Sequence, residues 1–553
     1  MLYQDNYNFW VNNPKIDTET KKELLEMNDN QKKEAFYKDL EFGTGGLRGI
    51  MGAGTNKVNI YTIKKATQGF ANYLVANKLD NKGVAISYDN RFNSQKFAYE
   101  AAYVLAANNI KTFIFKDLRP TPMLSFAVRH FNAGGGIMIT ASHNPKEYNG
   151  YKAYNGEGAQ LNLDQANQVI DYINDIKSPF DIKSLKSLSH ITEISDDFDS
   201  IYLDLVKTIK INEPSKKLKI VYSPLHGTGG TVIPKFLKEM GYEVFPYEPQ
   251  MIVDPNFSNT ESSNPEEVKA YTKSIEYAKS INADIVLLTD PDADRLGIAV
   301  LNNNEYTLIN GNQTTSMMAY YILDQKKKLG LLPNNGVIFT TLVSTDLIPA
   351  IAESFDVKVI TTLTGFKFIG EQAELTKDKY EYLFGSEESY GSLVKPFVRD
   401  KDAVQAVYLL VEMASYVKDH GMNLVDYLET IYKKYGFYYE WTNNIVLSGI
   451  EGSEKIKKIT DYYRNNPLTL KDYNLLGYDD INGDIRFKKT ENALPKSNVL
   501  KFYFDNNLWV IFRPSGTEPK LKIYYGLRDS SNELAKLKIE KINQEILEQI
   551  DKL

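Results

Sequence analysis

The 553-residue chain contains no cysteine. Disulfides, thiolate zinc sites and cysteine nucleophiles are therefore excluded. It also lacks any apolar run as long as a membrane span. Its first residues, Met1-Leu2-Tyr3-Gln4-Asp5-Asn6, lack the basic-then-apolar order of a signal peptide. These features predict a soluble intracellular protein, cytoplasmic, with no membrane partner. An excess of positive charge is missing too: 65 Lys and Arg face 71 Asp and Glu, for a net charge of −6. That argues against nucleic acid as the main partner. There is no solenoid-length repeat and no low-complexity segment. Oligomeric state is not legible in the sequence.

What is present is ordinary for a globular protein, with 42% hydrophobic and 25% charged residues. The length is too great for one core and implies three to five domains. Residues 1 to about 40 carry helical spacing and read as a helical N-terminal extension. From Lys57 onward, strands and helices alternate. Strands are expected at Gly83–Tyr88, Lys111–Phe115 and Gly136–Thr140, with a helix over Ser94–Ala107. A second unit follows the helix Asp197–Ile209 and begins at the strand Lys219–Ser223. A third opens near Gly311, with strands near Val337–Thr341, Val357–Thr361 and Tyr380–Phe384. From about Tyr439 the strands are expected to be shorter, ending in an amphipathic helix over Asn532–Leu553. The alternation implies parallel sheets with functional loops at strand C-termini.

The most informative segment is Asp290-Pro291-Asp292-Ala293-Asp294-Arg295. It follows the apolar run Asp284–Thr289, which reads as a buried strand. Three alternating carboxylates suit a hard divalent cation such as Mg²⁺, and Arg295 suits a phosphate on that cation. The competing reading is a solvated acidic turn. An EF-hand fails: the sixth loop position is Arg295, the twelfth is Leu301, and a strand precedes the loop.

Ser142, in Thr140-Ala141-Ser142-His143-Asn144-Pro145, also sits at a strand end, where a nucleophile or phosphoryl carrier is well placed. His143 is adjacent, but neighbouring side chains usually point apart. No Gly-x-Ser-x-Gly elbow supports a hydrolase. Asn149-Gly150 favours a tight hairpin that folds Lys152 toward the serine, where a lowered pKa would suit acid–base work. An exposed hairpin lysine is the alternative. Phe42–Gly49 is a flexible glycine-rich segment with one fixed cation, Arg48. It is neither a Walker A loop nor a Rossmann fingerprint. Arg513-Pro514-Ser515-Gly516-Thr517 follows the strand Leu508–Phe512 and reads as a phosphate cradle. Gly385–Gly391 offers Glu387, Glu388 and Ser389 to sugar hydroxyls; adjacent glutamates fit a glycosidase poorly. Thr364-Gly365-Phe366-Lys367 supplies another phosphate cation, unless the lysine is merely exposed on a helix.

Together and in this order, these loops resemble the α-D-phosphohexomutase superfamily, over nearly the whole chain. The length and the Phe42–Gly49 segment resemble its long phosphoglucomutase branch, which includes phosphopentomutases. Gly-Glu-Met-Ser-Gly-His, common in the phosphomannomutase type, is absent. The resemblance implies an α/β protein of four domains around a central cleft. Three would be similar α/β domains with mixed sheets, replacing the all-parallel expectation, and the fourth a smaller α+β domain. The expected domain bounds are 1–40 for the helical extension, 41–205 for domain 1 with the phosphoserine loop, 206–312 for domain 2 with the metal loop, 313–438 for domain 3 with the sugar loop and 439–553 for domain 4 with the phosphate loop. The resemblance further implies that Ser142 is the phosphoserine, and that Asp290, Asp292 and Asp294 hold Mg²⁺ together with its phosphate. Arg48, Lys152, His143 and Arg295 would assist transfer. Thr364, Gly365, Lys367, Glu387, Ser389, Arg513, Ser515, Gly516 and Thr517 would bind a phosphosugar. The implied reaction interconverts glucose 1-phosphate and glucose 6-phosphate through glucose 1,6-bisphosphate.

Overall fold

The computed structural model describes residues 3–43, 45–447, 449–483, 485, 487, 494–515 and 519–553, with backbone only at 188, 449 and 450. Gly516 and Thr517 lie outside the described residues. The chain forms two compact units. One comprises residues 1–310, 366–384 and 389–423, the other 311–365, 385–388 and 424–553.

The first unit begins with helices α1 (Tyr3–Val11), α2 (Thr18–Glu26) and α3 (Asp29–Phe36). Asp17 caps α2, and Asn28 closes a capping box on α3. Their apolar faces meet in an aromatic cluster. Trp10 lies 5.7 Å from Phe36, 5.2 Å from Tyr61 and 5.2 Å from Phe180, ring centre to ring centre. The N-terminal helices are therefore packed onto the domain that follows.

That domain is built on β1 (Gly46–Ile50), β2 (Val84–Tyr88), β3 (Thr112–Phe115), β4 (Gly135–Ile139), β5 (Tyr148–Asn155) and β6 (Ile191–Ile194). Their order is β1-β5-β4-β2-β3-β6. β2, β3, β4 and β6 pair in parallel, whereas β5 runs antiparallel to β4 and β1. Every residue of β2 and β4 is buried, as expected for strands covered on both faces. Helices α4 (Ile60–Ala76) and α5 (Ser94–Ala107) complete the core with Phe70, Leu74, Phe97 and Leu105.

Two expectations are corrected here. Asn149-Gly150 is inside β5 rather than in a hairpin turn. Gly150 is needed because a Cβ there would meet Thr140 O at 2.6 Å and Leu47 O at 2.7 Å. Gly46–Ile50, expected as flexible, is the edge strand β1. Gly46 permits it: φ is +129°, and a Cβ would lie 1.9 Å from Tyr151 O.

The second sheet is β7 (Lys219–Ser223), β8 (Glu243–Pro246), β9 (Ile285–Thr289), β10 (Leu296–Asn302) and β11 (Glu305–Ile309), in the order β11-β10-β9-β7-β8. It too is mixed, with β10 antiparallel to β9. Both sheets overturn the all-parallel expectation. Each turns antiparallel where a short loop joins neighbouring strands, β4 to β5 and β9 to β10, leaving no room for a crossover helix.

In the second unit, β12 (Gly336–Thr341) pairs in parallel with β13 (Lys358–Thr362). β14 (Glu381–Ser386) and β15 (Ser392–Leu393) follow in the chain. The C-terminal sheet is β16 (Phe437–Val446), β17 (Leu475–Asp480), β18 (Leu500–Phe504), β19 (Trp509–Pro514) and β20 (Lys520–Asp529), ordered β16-β20-β19-β18-β17 and wholly antiparallel. The expectation of shorter strands fails. β16 and β20 have ten residues each, the longest among the described residues. One face of this sheet packs on the final helix, Asn532–Ile550, through residues such as Ile539 and Ile546.

Candidate active site

Ser142 lies just beyond β4 in a left-handed backbone conformation, φ +53°. That is uncommon for a residue with a side chain and marks a position held by its surroundings. Arg91 does the holding. Its guanidinium donates to the carbonyls of Ser142 (2.6 Å), Asn144 (2.5 Å), Pro145 (2.8 Å) and Tyr148 (3.1 Å). Asp89 pairs with Arg91 at 3.2 Å and accepts from Thr140 Oγ1 at 2.7 Å. Thr140 Oγ1 in turn accepts from Ser142 N at 2.8 Å. The unusual φ also brings neighbours together: Ser142 Oγ is 3.2 Å from His143 Nδ1. Burial, with the Arg295 and Arg48 charges, pushes the His143 imidazole down to about 2 and keeps it neutral.

The Asp290 loop faces this serine. Ser142 Oγ donates to Asp290 Oδ2 at 3.0 Å. Asp290, Asp292 and Asp294 are 0%, 0% and 1% exposed, which rules out a solvated turn. One oxygen from each lies within 4.8 Å of the others. The loop is folded back by Asp290 Oδ1, which accepts from the backbone N–H of Asp294 (3.1 Å) and Arg295 (3.0 Å). Ala293 takes the left-handed turn, φ +53°. Burial, then the charges of Asp294 and Asp292, push the Asp290 carboxyl well above its ordinary range. Burial opposes ionisation of Asp294 too, but Lys401, Lys152 and Arg295 outweigh it and hold that carboxyl low. Asp292 Oδ1 and Asp294 Oδ1 are buried without a hydrogen-bond partner. Three converging carboxylates, two with an unpaired buried oxygen, form a donor set that fits a hard divalent cation.

Lys152 is buried and donates to Asp292 Oδ2 at 2.7 Å and Asp294 Oδ2 at 3.3 Å. It is not an exposed hairpin lysine. Burial acts on its pKa downward, but Asp292 and Asp294 prevail and raise it. Arg48 remains exposed on β1, donates to Asn144 Oδ1 at 2.8 Å and lies within the influence of Asp292 and Asp294. Arg295 pairs with Glu266, and its Nε is 3.9 Å from Asp294 Oδ1. Lys367 opens the helix Phe366–Leu375 and is only 9% exposed, which excludes the exposed-lysine reading. Ser389 belongs to the same unit.

The second unit carries the other expected residues. Glu387 is buried and accepts from Gly365 N at 2.9 Å, beside Thr364. Glu388 accepts from Thr341 Oγ1 at 3.1 Å and Ser344 Oγ at 3.4 Å. Arg513 lies near the end of β19 and donates to Tyr524 OH at 3.2 Å, while Ser515 N donates to Lys520 O at 2.7 Å and closes the hairpin.

Sequence reasoning missed Arg91, Asp89, Thr121 and Lys401. Thr121 donates to Asp292 Oδ2 at 2.9 Å through its hydroxyl. Lys401 lies 3.2 Å from Asp294 Oδ2, and Gly391 makes room for its stem, since a Cβ there would meet Lys401 Cδ at 2.1 Å. The turn Asp89-Asn90-Arg91 did offer a signal, a polar cluster at the end of a buried strand.

Four family models match consecutive stretches of the chain. They describe α/β/α domains I, II and III of phosphoglucomutase/phosphomannomutase, at residues 39–180, 200–303 and 310–435, and its C-terminal domain, at 454–543. The chain belongs to the phosphoglucomutase/phosphomannomutase family. Among curated relatives, phosphoglucomutase from Staphylococcus aureus strain MRSA252 is 37% identical over 517 residues, covering 91% of this chain and 92% of that protein. Among solved structures, a putative phosphomannomutase from Thermus thermophilus superposes with a TM-score of 0.68 at 22% identity, covering 92% of this chain and 99% of that one. The open form of parafusin, a phosphoglucomutase from Paramecium, gives a TM-score of 0.68 at 18% identity, covering 92% and 95%. Both likenesses concern the fold. Among the described residues, no helix is long and apolar enough to cross a membrane.

Proposed function

We propose that this protein is a cytoplasmic phosphoglucomutase, interconverting α-D-glucose 1-phosphate and glucose 6-phosphate through a phosphoserine at Ser142 and a glucose 1,6-bisphosphate intermediate. The observation that carries the reading is Ser142 Oγ 3.0 Å from Asp290, the first carboxylate of a buried triad. The 37% identity to a curated phosphoglucomutase over 91% of the chain supports the substrate. A fungal N-acetylphosphoglucosamine mutase of related fold has been solved with glucose 1,6-bisphosphate, at a TM-score of 0.51. The same reading places the phosphoserine loop in a first domain, residues 41–205, the metal loop in a second, 206–312, the sugar loop in a third, 313–438, and the phosphate loop in a fourth, 439–553.

In the first half-reaction the 6-hydroxyl of glucose 1-phosphate attacks the Ser142 phosphate. The sugar O–P bond forms as the Ser142 O–P bond breaks. The hydroxyl gives up its proton, and Ser142 Oγ recovers one. In the second half, Ser142 Oγ takes the 1-phosphate of the bisphosphate and releases glucose 6-phosphate. Mg²⁺ held by Asp290, Asp292 and Asp294 would offset negative charge on the moving phosphoryl group. Arg91 fixes the serine loop, so little reorganisation is needed when charge develops. Lys152 contacts two of the triad carboxylates, where its amine is placed to take part in proton transfer. Arg48 and Arg295 place further positive charge beside the same loops. Glu387 and Ser389 read sugar hydroxyls, and Lys367, Arg513, Ser515, Gly516 and Thr517 grip the phosphate that is not reacting.

Incubation with glucose 1-phosphate, Mg²⁺ and a trace of glucose 1,6-bisphosphate tests the reading. Glucose 6-phosphate should accumulate. Release of inorganic phosphate would indicate a phosphatase, and no turnover would indicate a silent binding protein. A preference for ribose or mannose 1-phosphate would favour a phosphopentomutase or phosphomannomutase.

A further inference from the structure

The C-terminal sheet has two unlike faces. Leu500 and Phe502 of β18, Val510 and Phe512 of β19, and Ile523 and Tyr525 of β20 lie in its apolar core. Strand alternation puts Lys501, Tyr503, Trp509, Arg513 and Tyr524 on the opposite face. Glu440 of β16 is registered on Gly526, which lies between the core residues Tyr525 and Leu527, so it shares that outer face. Gly526 leaves space for the Trp509 indole, which a Cβ would meet at 2.2 Å.

On this face lies a buried cation that the proposed chemistry does not use. Lys501 is 7% exposed, and its ammonium sits 4.6 Å from the Trp509 ring centre and 5.4 Å from that of Tyr503. It donates to Leu342 O at 2.9 Å. Leu342 belongs to the segment 341–346, which runs from the last residue of β12 into the loop beyond it. The same segment holds Glu388 through Thr341 and Ser344. Its next residue, Thr345, hydrogen-bonds the Glu440 carboxylate and receives support from Asn312, whose Oδ1 accepts from Thr345 N at 3.1 Å. Desolvation, with Asp346 adding, pushes Glu440 up to about 8 against the Thr345 bond. A buried ammonium and a carboxyl that burial drives toward its neutral form therefore grip one short loop from one face of one sheet.

We propose that Lys501 and Glu440 are positioning residues that clamp the 341–346 segment to the C-terminal sheet, fixing the spacing between the glutamates at 387–388 and the Arg513 cradle and so the length of phosphosugar accepted. This rests on the sugar and phosphate roles assigned above. The spacing matters because a hexose and a pentose phosphate differ in the distance between ring hydroxyls and phosphate. A rigid spacing favours one of them; a loosened one discriminates less.

The test is kcat/KM on glucose 1-phosphate and ribose 1-phosphate for wild type, Lys501→Met, Lys501→Arg and Glu440→Gln. Lys501→Met removes one buried charged hydrogen bond. It should lower kcat/KM on glucose 1-phosphate by about tenfold, mainly through KM. On ribose 1-phosphate the loss should be smaller, so the preference narrows. Lys501→Arg, which can still donate and stack, should restore most of the preference. Glu440→Gln is nearly isosteric and should narrow it in the same direction while folding normally. Equal losses on both substrates, or an unchanged ratio in a folded Glu440→Gln, would overturn the proposal. Absence of mutase turnover in the wild type would instead sink the functional reading on which it rests.

Discussion

At the scale of single residues, the site is held by strain and charge that pull in opposite directions. Ser142 occupies a left-handed backbone position because four carbonyls of its loop are tied to Arg91. Ser142→Ala keeps that backbone and removes only the hydroxyl. Mutase turnover should vanish while thermal unfolding barely moves; near-normal turnover in a verified variant would sink the phosphoserine assignment. Asp292→Asn removes one full charge from the triad and leaves Lys152 with Asp294 alone. Mg²⁺ affinity and turnover should both fall by at least about tenfold. A calorimetric titration giving unchanged affinity would place the cation elsewhere. Lys367 offers a test in pH. Burial pushes its ammonium down to about 8 from 10.5, with Glu371 opposing. Between those values the unfolded chain binds more protons, so stability rises with pH across that window and the burial penalty stands in full below it. Lys367→Met should therefore raise the urea midpoint at pH 7, by at most about 3 kcal/mol in stability, while weakening phosphosugar binding. In the wild type, KM should rise above about pH 8; a flat KM from pH 7 to 9 would remove Lys367 from the phosphate grip.

At the scale of elements, the chemistry sits on loops at the ends of buried strands, and this much was legible in the sequence. Apolar runs closed by Asp89-Asn90-Arg91, by Thr140–Pro145 and by Asp290–Arg295 mark β2, β4 and β9, because a strand buried on both faces must be continuous and apolar. Long-range partnerships left no such trace. Lys401 is more than a hundred residues from Asp294, and no local spacing announces that they meet. Asn149-Gly150 misled for a related reason: its glycine answers to two neighbouring strands, not to a turn. The contacts of Lys152 with Asp292 and Asp294 were missed because those carboxylates arrive from another domain. Glycine at 227 is a similar case with a testable consequence. The loop after β7 supports the metal loop, with Thr228 N donating to Pro291 O at 2.8 Å. A Cβ on Gly227 would lie 2.3 Å from Pro291 Cα, backbone that cannot yield cheaply. Gly227→Ala should cost about 1–3 kcal/mol of stability and weaken Mg²⁺ binding although residue 227 carries no ligand. Normal Mg²⁺ affinity in this variant would show that the two loops move independently.

At the scale of the whole molecule, the proposed chemistry and much of the proposed recognition fall in different parts of the chain. The serine, the carboxylate triad and Lys152 belong to one compact unit, whereas Glu387 and Arg513 belong to the other. The two recognition residues differ in what they can read. A carboxylate accepts hydrogen bonds and so reports hydroxyl geometry, while a guanidinium matches phosphate, which all candidate substrates share. Losing one charged hydrogen bond costs about 1.5–3 kcal/mol, or roughly ten- to a hundred-fold in rate. Glu387→Gln should lower kcat/KM by that factor on glucose 1-phosphate and by less on mannose and ribose 1-phosphates. Arg513→Ala should weaken all three, chiefly through KM. Neither should alter Mg²⁺ affinity measured without sugar, since neither supplies a ligand to the triad. Equal losses on all three sugars for Glu387→Gln would show that it does not read the sugar, and a selective loss for Arg513→Ala would show that its partner is not the phosphate.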